Sequence, residues 1–216
     1  MKSWRSLENS DRPKEYTVLG IDPGSLVTGY GLVHRVQSGL QCVDFGCVKL
    51  SSTQSLTLRL EQIYDRLSQI VAAFKPDRMA VETIFYSRSA RSALIMGHVR
   101  GVVLLVAAKA GLEVFEYTPL EIKLSVVGSG AASKRQVQFM VSKMLSVSGR
   151  LPIDASDALA VALCHVNKCA REHYDRASRV GGVWTQAALN AKAVKSVKGI
   201  KGAPAVKGAP GVKGAS

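Results

Sequence analysis

The sequence is short of the features that mark zinc-held, secreted or membrane-spanning proteins. Its four cysteines fall as Cys42/Cys47 and Cys164/Cys169, and neither pair has the two-residue spacing of common zinc sites. Five residues apart on a helix is not one face either, so reduced core thiols are expected. The opening MKSWRSLENSDRPKE has no apolar h-region, so it does not read as a secretory signal. No uninterrupted apolar run reaches membrane-spanning length. These absences together lead to the expectation of a soluble chain in a reducing compartment, the cytoplasm. Acidic residues are also scarce: 16 Asp and Glu stand against 29 Lys and Arg, a net charge of +13. Residues 192–216 hold six lysines and no acid, so residues 1–191 keep an excess of +7 (23 minus 16). The part expected to fold is therefore basic by itself, which favours a polyanionic partner, nucleic acid before membrane.

What the sequence does contain is enough apolar residue, 47% of 216, for one ordinary domain with tails. Residues 1–15 are polar and read as a flexible N-terminal extension, residues 16–170 as the domain, and residues 171–216 as a basic, low-complexity tail expected to be disordered. Lysines and glycines in that tail keep a three-residue beat. The run is too short, interrupted and proline-poor for a collagen helix.

Within the domain the apolar period changes several times. YTVLGIDPG (residues 16–24) reads as a buried strand that ends on one acid, Asp22, and is punctuated by Pro23-Gly24. Residues 28–36 and 40–50 read as two further strands joined by a Ser38-Gly39 turn, an antiparallel meander. Residues 55–74 carry apolar side chains three and four apart, an amphipathic helix. Arg78 to Glu82 is a short buried strand that again ends on an acid, Glu82. Residues 89–111 form a long apolar helix, wet on so little of its surface that it is either deeply buried or packs a second subunit. A strand (113–117), a short helix (120–126), a Gly128-Ser129-Gly130 loop, a helix (133–147) and a last apolar helix (154–167) complete the α/β alternation, with parallel strands joined by crossover helices.

Asp154 and Asp157 lie three apart at the start of the last helix, on one face. Alone, such acids offset the helix dipole or cap it. Beside the core implied by the following Ala-Leu-Ala-Val-Ala-Leu run, two carboxylates are costly unless cations or hydrogen bonds compensate. Asp22 and Glu82 raise the same question at strand ends, where functional groups of α/β sheets gather. Four acids from two strand ends and one helix start could form a hard oxygen site suited to Mg²⁺ or Mn²⁺. Two such ions would activate water and stabilise a leaving 3′ oxygen in phosphodiester hydrolysis.

The segments IDPGSLVTGYG, AVETIF, ALIMGHVRG, IKLSVVGSGAASKRQVQFMV and DASDALAVALCH resemble, in order and spacing, the RuvC Holliday junction resolvases, over roughly residues 16–168. The resemblance implies an RNase H-like fold: a mixed five-stranded sheet, antiparallel meander then parallel βα units, flanked by helices. It implies a homodimeric, Mg²⁺-dependent endonuclease, two ions per subunit with Mn²⁺ as substitute. Such an enzyme nicks four-way junction DNA in symmetric pairs and works with RuvA and RuvB. The family's four acids fall on Asp22, Glu82, Asp154 and Asp157, its base-contacting phenylalanine on Phe85, and its two functional lysines on Lys123 and Lys134. Phe85 sits in a polar stretch where an aromatic can stack on an unpaired base. Lys134 begins a helix after a glycine-rich loop, a place that also receives phosphate. Ser89 and His98 stand where the family often has Asn and Gln.

Two other classes share parts of this pattern. A strand followed by D-x-G also opens the sugar-kinase and actin-like ATPase fold, which needs a second such domain, and no second copy appears here. A catalytically dead junction-binding scaffold is the other, and the presence of all four acids counts against it.

Overall fold

The structure, a computed structural model of the chain, describes residues 15–83 and 89–171. The expected extension up to residue 14 and the expected tail from residue 172 lie outside the described residues. Strand β1 (Tyr16–Asp22) pairs antiparallel with β2 (Val27–Val36), and β2 pairs antiparallel with β3 (Gly39–Lys49). The hairpin turn is Gln37-Ser38, one residue earlier than the sequence suggests, because Gly39 at φ 151° already enters the ladder opposite Val36. Helix α1 (Leu56–Phe74) starts on the Ser55 cap and ends where Lys75 turns left-handed ahead of Pro76.

Strand β4 (Arg78–Glu82) lies parallel to β1, and β5 (Glu113–Tyr117) parallel to β4, with α2 (Ala90–Ala110) as their crossover. Helices α3 (Pro119–Val127), α4 (Lys134–Met144) and α5 (residues 153–171) follow. The sheet order β3-β2-β1-β4-β5 is the mixed, five-stranded, RNase H-like arrangement expected. Helix α4 stops at Met144 rather than Val147. Ser146 takes a left-handed conformation (φ 50°), and the Val147 N–H donates back to the Ser142 carbonyl at 3.0 Å, closing the last turn.

Each sheet face has its own core. Leu19, Ile21, Leu32, Met79 and Val81 pack against α1 and α2 through Ile63, Leu67, Val99 and Val103. Val18, Val33 and Ala80 face the opposite way and join α3, α4 and α5 through Ile122, Val137, Val141 and Leu159. Because side chains alternate along a strand, Asp22 shares a face with Val18 and Gly20, and Glu82 shares it with Ala80. Both acids therefore point to the side where α5 begins.

Helix α5 can lie close because glycines face it. A Cβ on Gly20 would stand 2.1 Å from the Ala158 carbonyl oxygen, and one on Gly29 2.0 Å from that of Asp154. Register does the rest, since Gly29 pairs directly with Asp22.

By length and composition alone α2 could cross a membrane, with a mean hydropathy of 1.6 over its best window. Here it is a layer of the domain: Val99, Val103, Val106 and Ala107 are buried, and Arg100 pairs with Glu116 of β5. Its other face leaves Leu94 66% and Leu105 51% exposed, around Gly97, His98 and Gly101. Ser89 caps the helix by accepting from the Ser92 N–H. All four cysteines are free, and Cys164 is fully buried, as a core thiol should be.

Candidate active site

Asp22 is the last residue of β1 and Glu82 the last of β4, neighbouring parallel strands whose register places Ile21 beside Val81. Their carboxyl groups share a hydrogen bond. Burial, and then the charges of Glu82 and Asp157, hold the Asp22 carboxyl well above the usual carboxylate range. Burial also raises Glu82, opposed by the hydrogen bond from Asp22 and by Lys134 and Lys123. Two partly buried acids pushed up together mark a pocket where carboxylate charge is crowded.

Asp157, one turn into α5, faces the same cleft and accepts a hydrogen bond from the Lys134 ammonium at 2.7 Å. That bond is the main cause holding the lysine's own pKa above its ordinary value. Lys134 reaches Asp157 from the first position of α4, whose start is fixed by a capping box between Ser133 and Gln136. Lys123 on α3 lines the cleft opposite. The cavity measures about 570 Å³, and its remaining wall is apolar, with Met96 from α2, Pro119 and Ile122 from α3, and Val137 from α4.

Asp22, Glu82, Asp157, Lys123 and Lys134 are thus brought together. Asp154 is not among the cavity's lining residues. Its main chain lies on Gly29, and its charge is felt instead by Cys47, whose thiol is pushed up by burial first and by Asp154 second. Phe85 lies outside the described residues. The apolar wall and Met96 in particular carry no sequence signal beyond membership of amphipathic helices. Thr28, fully buried beside the acid-bearing strand, was legible only as part of T-G-Y-G.

The donor set fits a hard divalent cation. All its members are carboxylates, two of them crowded together at neighbouring strand ends, and a lysine ammonium already stands on the third as a cation would. Among the described residues no three acids, histidines or cysteines converge tightly enough to ligate one ion as they stand.

Comparison with known proteins places the chain in a family. The family model of crossover junction endodeoxyribonuclease RuvC matches residues 18–165. The protein of that name from Geobacter sulfurreducens is 44% identical over 162 residues, covering 75% of this chain and 99% of the relative. The one from Chlorobium phaeobacteroides is 45% identical over 173 residues, covering 78% and 92%. Among solved structures, T. thermophilus RuvC in complex with Holliday junction substrate aligns with a TM-score of 0.69 at 31% identity, over 73% of this chain and 97% of that one. The yeast mitochondrial Holliday junction resolvase Ydc2 aligns at 0.55 and 14% identity, over 79% and 85%, a likeness of fold alone. With strand-end acids meeting a helix-start acid on this sheet, and a family match across more than half its length, the chain belongs to the RuvC family of crossover junction endodeoxyribonucleases.

Proposed function

We propose that this chain resolves four-way DNA junctions by paired symmetric nicks, in homologous recombination and DNA repair in the cytoplasm. The observation that carries this reading is the meeting of Asp22, Glu82 and Asp157 with Lys123 and Lys134 in one cleft of a RuvC-family fold. The junction itself comes from the T. thermophilus relative, which is described with that substrate.

Family membership brings dependence on a divalent metal. In this chain Asp22, Glu82 and Asp157 would hold two Mg²⁺ ions, with Asp154 joining from the first turn of α5. Bound there, the ions supply the activation of water and the stabilisation of the leaving 3′ oxygen. The side chains do the rest by position. Asp22 and Glu82 would act as ligands in their ionised forms. Lys123 and Lys134 flank the acids and attract the scissile phosphate into a cleft that would otherwise repel it. The apolar wall keeps water out of one side of the cleft. Phe85, three residues beyond Glu82, stacks on an unpaired base.

Symmetric nicking needs two sites related by a twofold axis, and a homodimer through α2 supplies them. The exposed Leu94 and Leu105 offer the apolar contact, and Gly97 and Gly101, with open space around them, let a second helix approach. Residues 16–170 carry the nuclease. The basic residues 171–216 add attraction for phosphate, and RuvA and RuvB deliver the junction.

The test compares nicking of a synthetic four-way junction with that of linear duplex, in Mg²⁺ and in chelator. The wild-type chain is expected to nick the junction alone and only with metal, while Asp22→Asn binds the junction without cutting. Wild-type nicking by Asp22→Asn would remove the acids from the mechanism.

A further inference from the structure

The turn that follows Asp22 is tied down by a residue that never reaches the cleft. Thr28, the second residue of β2, is fully buried, yet its hydroxyl is doubly used. It donates to the Gly24 carbonyl oxygen at 2.7 Å and accepts from the Gly24 N–H at 3.3 Å. One side chain thus satisfies both main-chain polar groups of Gly24, two residues past the acid. The turn has little slack: a Cβ on Gly24 would stand 1.9 Å from the Val27 carbonyl oxygen. From outside, Arg59 of α1 donates to the Ser25 carbonyl oxygen at 2.8 Å, and Leu50 N–H to that of Leu26 at 2.9 Å. Between Asp22 and the clamp lies only Pro23, itself buried and lining the cleft.

We infer that Thr28 is a positioning residue for Asp22: its hydroxyl fixes the Pro23-Gly24 turn and so sets where the acid's carboxylate stands. Asp22 needs such a device. It shares one cleft with Glu82 and Asp157, and like charges drive a loosely held carboxylate away. β1 holds Asp22 on one side through its pairing with Gly29, and the turn must hold it on the other. A hydroxyl that pairs with both the N–H and the C=O of Gly24 does so with a single side-chain rotamer frozen, and no charge is added to the site.

This inference rests on the nuclease reading, and the experiment separates the two. Thr28→Val keeps the shape and removes the hydroxyl, while Thr28→Ser keeps the hydroxyl. Both are compared with wild type for single-turnover nicking of a four-way junction, for junction binding in chelator, and for Mn²⁺ binding by calorimetry without DNA. Thr28→Val is expected to lower the nicking rate by about 10-fold or more, with KM for the junction and chelator-state binding near wild type, because misplacing a reacting group is felt in rate before affinity. It should weaken Mn²⁺ binding as well, and Thr28→Ser should restore both. If Thr28→Val melts below the assay temperature, Thr28→Ala against Thr28→Ser makes the same comparison where both are folded. A folded hydroxyl-free variant with wild-type rate and Mn²⁺ affinity overturns the inference, as does a rise in KM with rate unchanged. If wild type itself fails to nick junctions, the nuclease reading falls, and the Mn²⁺ isotherms still decide the clamp.

Discussion

Gly29 decides how deep the first turn of α5 sits, and Gly29→Ala tests whether that depth matters. The new Cβ would lie 2.0 Å from the Asp154 carbonyl oxygen and 2.6 Å from its carbon, both main-chain atoms that cannot swing aside. Real Cβ contacts do not fall below 3.0 Å, so the helix start must retreat by about 1 Å. Asp157 rides on the same turn and moves with it, away from Asp22 and Glu82. A displacement of that size at a reacting centre costs on the order of 100-fold in rate, and overpacking of a tight contact costs about 1–3 kcal/mol of stability. For a domain of this length that is a fall of about 2–4 °C in Tm for each kcal/mol.

Gly31→Ala is the comparison. It sits two residues further along the same strand and face, but its Cβ would meet the Leu159 side chain, Cδ2 and Cγ at 2.6 Å, before any main-chain atom. Leu159 is buried, so its side chain must repack within the core, while its N at 3.0 Å is only at the edge of the tight range, and it lies beyond the acids along α5. Gly31→Ala should therefore lose stability comparable to Gly29→Ala while keeping its nicking rate within a few-fold. Single-turnover nicking of a four-way junction at saturating Mg²⁺, with melting curves on the same samples, reads both quantities. Equal rates for the two variants would refute the claim that the glycine contact places the acids.

Ser156, between the two aspartates of α5, is fully buried and its hydroxyl has no hydrogen-bond partner among the described residues, so Ser156→Ala should raise stability by about 1 kcal/mol in urea unfolding; a loss of stability would refute this. His165 is fully buried, accepts from Arg78 at Nε2 and pairs with the Tyr117 hydroxyl through Nδ1, and burial holds its pKa down at about 4. Its folded pKa lies below the unfolded value of 6.5, so the stability it contributes is full above pH 6.5 and is lost as pH falls toward 4, about 2 kcal/mol of it between pH 7 and pH 5. Asp22 and Glu82, raised in the fold, act in the opposite sense, so the test is the difference in pH slope between wild type and His165→Gln; equal slopes would refute it.

Much of this was written into local pattern. The strands ending on Asp22 and Glu82 were legible because each is a short apolar run stopped by an acid, and period-two alternation then sends both acids to one face. The pairing of Asp157 with Lys134 was not legible, because it depends on α4 and α5 meeting 23 residues apart in sequence, which no local period encodes. Asp154 marks the limit of the spacing argument. Three residues apart puts two acids on one helix face, but a face spans a range of directions, and only Asp157 lines the cleft. The glycines beside the acids were visible as an absence of side chains. That they admit the main chain of α5, rather than merely freeing the turn, needed the packed helix.

The site's geometry works against its own electrostatics, and the fold shows what holds it. Three carboxylates within one cleft repel, and burial makes their ionised forms costlier still. Among the described residues, only Lys123 and Lys134 in the cleft itself favour keeping them together. The constraint comes from outside. Two hydrophobic cores fix the sheet on both faces, Gly20 and Gly29 let α5 lie against it without a spacer, and Thr28 closes the turn behind Asp22. Each of these acts on main-chain position, and among the described residues the carboxylate oxygens meet no protein donor apart from the Lys134 contact and the acid pair. That is the arrangement a cation site requires. Acids held by hydrogen bonds to their own oxygens would have to break them to bind metal, whereas acids held by their backbones meet an arriving cation with their ligand positions free.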